Sequence, residues 1–249
     1  MNKQQKVAII TGASQGIGAG LVKGYRDAGY AVIANSRSIK PSADSGIVTV
    51  AGDIADRAVA QKVVETAIQR FGRIDTLVNN AGVFIGKPFT DYTAEDYRKV
   101  IHVNLDGFFH VTQLTLPRML KQKSGSIVSI SGTAGKEGMA LRGSLCAAKW
   151  GLLGLTQTIA KESGPSGVRA NVICPGGMDE PDLRVMYAER AKGLGMEFSQ
   201  LEKAVLESTP LRKYASHDEV AKAALFLVSS DSSHTTGESL NVSGGRLMS

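Results

Sequence analysis

VAIITGASQGIG, residues 7–18, decides the fold. Val7 to Ile10 is an unbroken apolar run of strand length, and Gly12, Gly16 and Gly18 lead from it into an amphipathic stretch. An apolar run without polar alternation reads as a strand buried on both faces, the condition of a parallel sheet covered by helices. Glycines at a strand-to-helix junction permit a tight turn. They also let backbone N–H groups and the positive end of the helix meet an anion such as a pyrophosphate. A glycine-rich turn also serves ordinary structural bends, so the rest of the chain has to agree with it.

Working outward, short apolar runs recur at 31–35, 46–50, 76–80, 126–130 and 168–173, with a last one at 239–243. Between them 17–28, 56–71, 94–121, 145–163 and 217–229 carry helical periodicity, with Thr93 and Ser216 placed as caps. This rhythm predicts an α/β fold: a doubly wound parallel sheet of the Rossmann type with helices on both faces. No Ser/Gly/Pro-rich linker or long-period repeat divides the chain, so residues 1–249 read as a single domain. The polar, Met-rich stretch 178–208 interrupts the rhythm after a strand, where such folds place ligand crevices, and is predicted to cover the substrate. Met178, Met186 and Met196 would give it an adaptable apolar wall, with Asp179, Glu180, Arg184 and Arg190 for polar contacts.

Composition narrows the function. At 249 residues and 43% apolar content the chain can close a substantial core. The net charge of +6 comes without a Lys/Arg block or an aromatic-interleaved basic motif, which fits attraction of anionic cofactors rather than nucleic-acid binding. No apolar run is long enough for a bilayer and no secretory signal opens the chain, so no membrane partner is expected and the cytoplasm is the predicted compartment. Cys146 and Cys174 are too few for a disulfide framework and lie in no metal-ligand spacing; no metal site is expected.

Further motifs stand in register with the opening one: Asp53, then Asn79-Asn80-Ala81-Gly82, Asn104, and Pro175-Gly176. With TGxxxGIG at 11–18, this ordered set resembles the classical short-chain dehydrogenase/reductase family over almost the whole chain. The resemblance implies that Gly12, Ser14, Gln15, Gly16, Ile17 and Gly18 cradle the diphosphate of a nicotinamide dinucleotide. Asp53 and Ile54 would flank the adenine, Asn80, Ala81 and Gly82 the ribose side, and Pro175, Gly176 and Met178 the nicotinamide. At the end of the second strand the chain offers Asn35-Ser36-Arg37, with Lys40 nearby and no acid. A carboxylate there would accept from a free ribose 2′-OH and repel a 2′-phosphate, so NADP(H) is preferred, with Ser36 and Arg37 on the phosphate. NAD(H) is the alternative, since Gln15 is neutral where a basic residue would favour the phosphate. The family also implies a small-molecule substrate and a homodimer or homotetramer built on the helices at 94–121 and 145–163 and on the last strand.

The same resemblance exposes a departure. Through AAKWGLLGLT, 147–156, the family lysine falls on Lys149, which by the resemblance would also hold the cofactor ribose, while the tyrosine four residues earlier falls on Leu145 and the serine on Gly132. Asn104 and Lys149 are kept, and both groups that would touch the substrate oxygen are absent. Ser131 enters the site only if its strand bulges. Cys146 reads as a buried small hydrophobe, Ser144 as a helix cap, Tyr187 as an exposed amphipathic contact and His102 as structural. The expected function is an oxidoreductase with an atypical proton donor. The alternatives are a non-redox lyase, dehydratase or isomerase that uses Lys149, and a catalytically silent NADP(H)-binding regulator.

Overall fold

Successive residues of the first strand serve two different cores. In the computed structural model, which describes residues 5–180, 184–185, 187–188, 191–192 and 195–248, Val7 and Ile9 pack on one face of the sheet and Ala8 and Ile10 on the other. That is the two-residue period of a strand covered twice. The strands are β1 (Val7–Thr11), β2 (Ala31–Ser36), β3 (Ile47–Ala51), β4 (Thr76–Asn79), β5 (Gly125–Ile130), β6 (Val168–Pro175) and β7 (Ser239–Val242). All their pairings are parallel, in the order β3-β2-β1-β4-β5-β6-β7.

The helices between them are α1 (Gly16–Asp27), α2 (Arg57–Phe71), α3 (Ala94–Ile101), α4 (Gly107–Gln122) and α5 (Gly143–Ser163), then α6 (Phe198–Glu207) and α7 (His217–Val228). Leu21 and Tyr25 of α1 share a core with Val220, Ala224 and Leu227 of α7 on one face. On the other face Val63 and Ala67 of α2 meet Val111 and Met119 of α4 and Ala160 of α5. Thr93 and Ser216 each close a capping box, with Asp96 and Glu219 as reciprocal acceptors, as their positions predict.

Three expectations are corrected. The helix expected over 94–121 is interrupted by a π-helical turn, His102–Asp106, where the Gly107 N–H reaches back five residues to the His102 carbonyl. Ser144 is not a cap: α5 starts at Gly143 after Arg142, no side chain caps it, and the Ser144 hydroxyl is buried without a protein partner. Tyr187 is buried with Ala191 and Leu201 rather than exposed, because α6 folds an apolar face over it. Met186 and Arg190, assigned to the wall of the covering segment, lie outside the described residues.

Candidate active site

The sheet order reverses between β1 and β4, so the chain leaves their carboxyl ends in opposite directions and opens a crevice. A cleft of ≈ 580 Å³ occupies it. Gly12, Ser14 and Gln15 line it from the β1–α1 turn and Gly16, Ile17 and Gly18 from the first turn of α1, Asn35 and Ser36 from the end of β2 with Arg37 just beyond, Gly52, Asp53 and Ile54 from the loop after β3, and Asn80, Ala81 and Gly82 from the loop after β4.

Two glycines make the turn possible. A Cβ on Gly12, at φ 65°, would lie 2.8 Å from the Ala81 Cα, and one on Gly18 would lie 2.0 Å from the Gly12 carbonyl oxygen. Asn80 holds this junction, its Nδ2 donating to the Thr11 carbonyl at 3.0 Å and the Gly12 carbonyl at 3.2 Å, while the Thr11 hydroxyl accepts from the Asn80 and Ala81 N–H groups. The side chain of Asn80 therefore knits β4 to the glycine turn, and the segment borders the cleft beyond it. Asn35 does the same one strand over, donating to the Val50 and Gly52 carbonyls. Asp53 accepts from the Ala55 N–H.

Beside Asn35 the Ser36 hydroxyl is buried with no protein partner. Arg37 is exposed and has no ion pair among the described residues. The turn, without a Cβ at residues 12, 16 and 18, fits the diphosphate of a dinucleotide.

Asn104 and Lys149 meet over Gly82. A Cβ on Gly82 would lie 2.7 Å from Asn104 Oδ1 and 3.6 Å from Lys149 Nζ. The π turn aims Asn104, whose Nδ2 donates to the Val83 and Val100 carbonyls at 2.7 and 2.8 Å, leaving Oδ1 buried and unpartnered. Such turns recur at functional sites because the extra residue re-aims one side chain. Lys149 Nζ donates to the Ile130 carbonyl at 2.8 Å, and burial lowers its pKa from 10.5 to about 8.

One turn before Lys149, Leu145 is half-buried. Gly132 follows β5 at φ 132°, ψ −175°, where a Cβ would meet only the Pro175 carbonyl oxygen, 3.9 Å away. Ser131 does not enter the site: its N–H continues the ladder to the Ile173 carbonyl, so there is no bulge, and its hydroxyl turns to the Lys149 backbone carbonyl at 3.4 Å. Cys146 is buried as expected, its thiol 3.8 Å from the Glu137 carbonyl. His102 is on the surface, paired with Asp106.

Pro175, Gly176 and Met178 do not line the ≈ 580 Å³ cleft. Pro175 is the last residue of β6, and the Gly176 N–H bonds to Val242 of β7. Met178 points into the core shared by α1 and α7, drawn there by the bridge to Ala215. His217 also lines the cleft, bonded to Glu180 at 2.6 Å. Sequence reasoning missed it, since nothing in the chain ties residue 217 to residue 180 before folding. Among the described residues no cluster of His, Cys, Asp or Glu is placed to hold a metal, and no helix is long and apolar enough to cross a membrane.

Residues 6–191 match the family model described as short chain dehydrogenase. The chain belongs to the short-chain dehydrogenase family. Among its relatives, a 3-oxoacyl-(acyl-carrier-protein) reductase of Thermotoga maritima is 35% identical, the match covering 98% of this chain and 99% of the relative. A galactitol 2-dehydrogenase of Agrobacterium fabrum is 33% identical with full coverage of both chains. Among solved structures, sorbitol-6-phosphate 2-dehydrogenase from Erwinia amylovora superimposes with a TM-score of 0.91 at 27% identity, covering 97% of this chain and 100% of that one. An actinorhodin polyketide ketoreductase with NADPH superimposes at 0.90 and 26% identity, with 99% of each chain covered.

Proposed function

We propose that this short-chain dehydrogenase is an NADP(H)-dependent oxidoreductase of small carbonyl or alcohol substrates whose proton donor is not the usual tyrosine. The cofactor preference rests on one observation, the buried and unpartnered Ser36 hydroxyl beside Arg37. A hydroxyl and a guanidinium suit a 2′-phosphate, and no acid stands between 36 and 40 to select a free hydroxyl. When bound, the nicotinamide supplies the hydride chemistry. Lys149 orients the ribose and supplies positive charge, and Asn104 Oδ1 offers an acceptor for a water that relays protons to Lys149.

Leu145 and Gly132 offer the substrate oxygen no side-chain hydrogen bond, so solvent provides the proton. Loss of a positioned donor costs about 10²–10⁴-fold, which predicts slow turnover on electrophilic carbonyls. Exposed Phe109 on α4 and Trp150 on α5 suit contact between copies in a homodimer or homotetramer. Residues 178–208 are assigned to covering the substrate.

Calorimetric titration with NADPH, NADP, NADH and NAD, followed by a panel of 3-oxoacyl thioesters, ketones and polyols read by absorbance, tests the proposal. NADPH binding at least about tenfold tighter than NADH, with slow oxidation by one carbonyl, is the expected result. Binding without any turnover removes the redox assignment. A second reading, amine chemistry at Lys149, is favoured by its lowered pKa and by the absence of a carboxylate partner among the described residues. Borohydride trapping of a carbonyl ligand on Lys149 separates it from the first.

A further inference from the structure

Beyond β6 the chain carries Asp179 and Glu180 back across the glycine turn. A Cβ on Gly16 would lie 2.9 Å from Glu180 Oε1, an approach open only because residue 16 has no side chain. The same oxygen is 2.6 Å from His217 Nε2. His217 is the first residue of α7, and its Cβ packs against Gly20 of α1. The carboxylate thus stands at the amino end of α1, which no side chain caps and where unpaired N–H groups favour an anion, and it is held there by the imidazole of the first residue of α7. Its charged neighbours are engaged elsewhere: Asp179 with Arg184 at 2.8 Å, Asp218 with Lys222 at 2.6 Å and Glu219 with Lys213 at 2.7 Å. Gly16, Glu180 and His217 all line the ≈ 580 Å³ cleft, so the carboxylate stands in space that the same helix end offers to a diphosphate.

We propose that Glu180 is a built-in anion that occupies the diphosphate position of the cleft, held there by His217, and that a dinucleotide binds only as this carboxylate leaves the glycine turn. The proposal rests on the dinucleotide reading above. Two anions cannot share one helix end, because like charges a few ångströms apart repel strongly even under partial solvent screening. The population with Glu180 seated therefore lowers the apparent affinity for every ligand that brings a diphosphate.

The test titrates the protein and its Glu180→Gln variant with NADP, ADP-ribose and adenosine 2′-monophosphate by calorimetry. Glutamine keeps the length of the side chain and a partner for His217 while removing the charge. Both diphosphate ligands are expected to bind the variant about tenfold tighter or more, with adenosine 2′-monophosphate unchanged. His217→Gln, which loosens the hold on Glu180, is expected to act in the same direction and less strongly. It serves as the second variant should Glu180→Gln fail to fold in a thermal melt. Measurable NADP binding that neither substitution tightens, or a gain shared equally by all three ligands, overturns the proposal and leaves the dinucleotide reading standing. If the folded protein and both folded variants bind none of the three, the dinucleotide reading falls, and the proposal with it.

Discussion

Replacing Lys149 with methionine keeps a straight apolar stem and removes the ammonium. Lys149 is 8% exposed, its Nζ donates to the Ile130 carbonyl, and no carboxylate pairs with it among the described residues. Burial lowers its pKa from 10.5 to about 8, so the unfolded chain binds more protons than the native one between those values. The cost of burying the charge is complete below about pH 8 and disappears as pH rises past 10.5; the gap is worth about 3 kcal/mol. Losing the hydrogen bond to Ile130 costs about 1 kcal/mol.

Lys149→Met is therefore expected to be about 2 kcal/mol more stable at pH 7, a rise in Tm of about 4–8 °C for a chain of this size. Above pH 10.5 it should be about 1 kcal/mol less stable than the parent, since only the lost hydrogen bond remains. Urea unfolding followed by circular dichroism at pH 7, pH 9 and about pH 11.5 measures both. A variant less stable at pH 7, or a difference that stays constant across this range, would refute the burial argument. The stabilised variant should also lose turnover, because the costly charge is kept for the site.

Arg37→Ala should weaken NADP(H) binding about 10- to 100-fold while leaving NAD(H) unchanged, measured by titration, since it removes one charge-assisted hydrogen-bonding partner of the 2′-phosphate. Leu145→Tyr should raise ketone reduction by about 10²-fold or more in a steady-state NADPH assay. Gly132→Ser alone should lower Tm without restoring activity, because φ 132°, ψ −175° is a conformation open essentially to glycine. Gly18→Ala should abolish dinucleotide binding in calorimetry, as its Cβ would overlap the Gly12 carbonyl oxygen at 2.0 Å.

The fold was legible in the chain because its signals are local: apolar runs set the strands, 3.6-residue periodicity set the helices, and Thr93 and Ser216 announced two helix starts. Gly12, Gly16 and Gly18, at the junction of β1 with the first turn of α1, likewise marked the cleft. The break in the helix at His102–Asp106 was not legible, because Asn104 is re-aimed by the Val83 carbonyl from a different part of the chain. Ser131 was settled by its ladder partner Ile173, and Tyr187 by the α6 face that covers it. Glu180 and His217 lie 37 residues apart, and the bridge between Met178 and Ala215 brings their segments together. Sequence thus determined the elements and the glycine cradle, which depend on neighbours along the chain. Tertiary structure decided which side chains face the cleft, because that depends on contacts between residues distant in sequence.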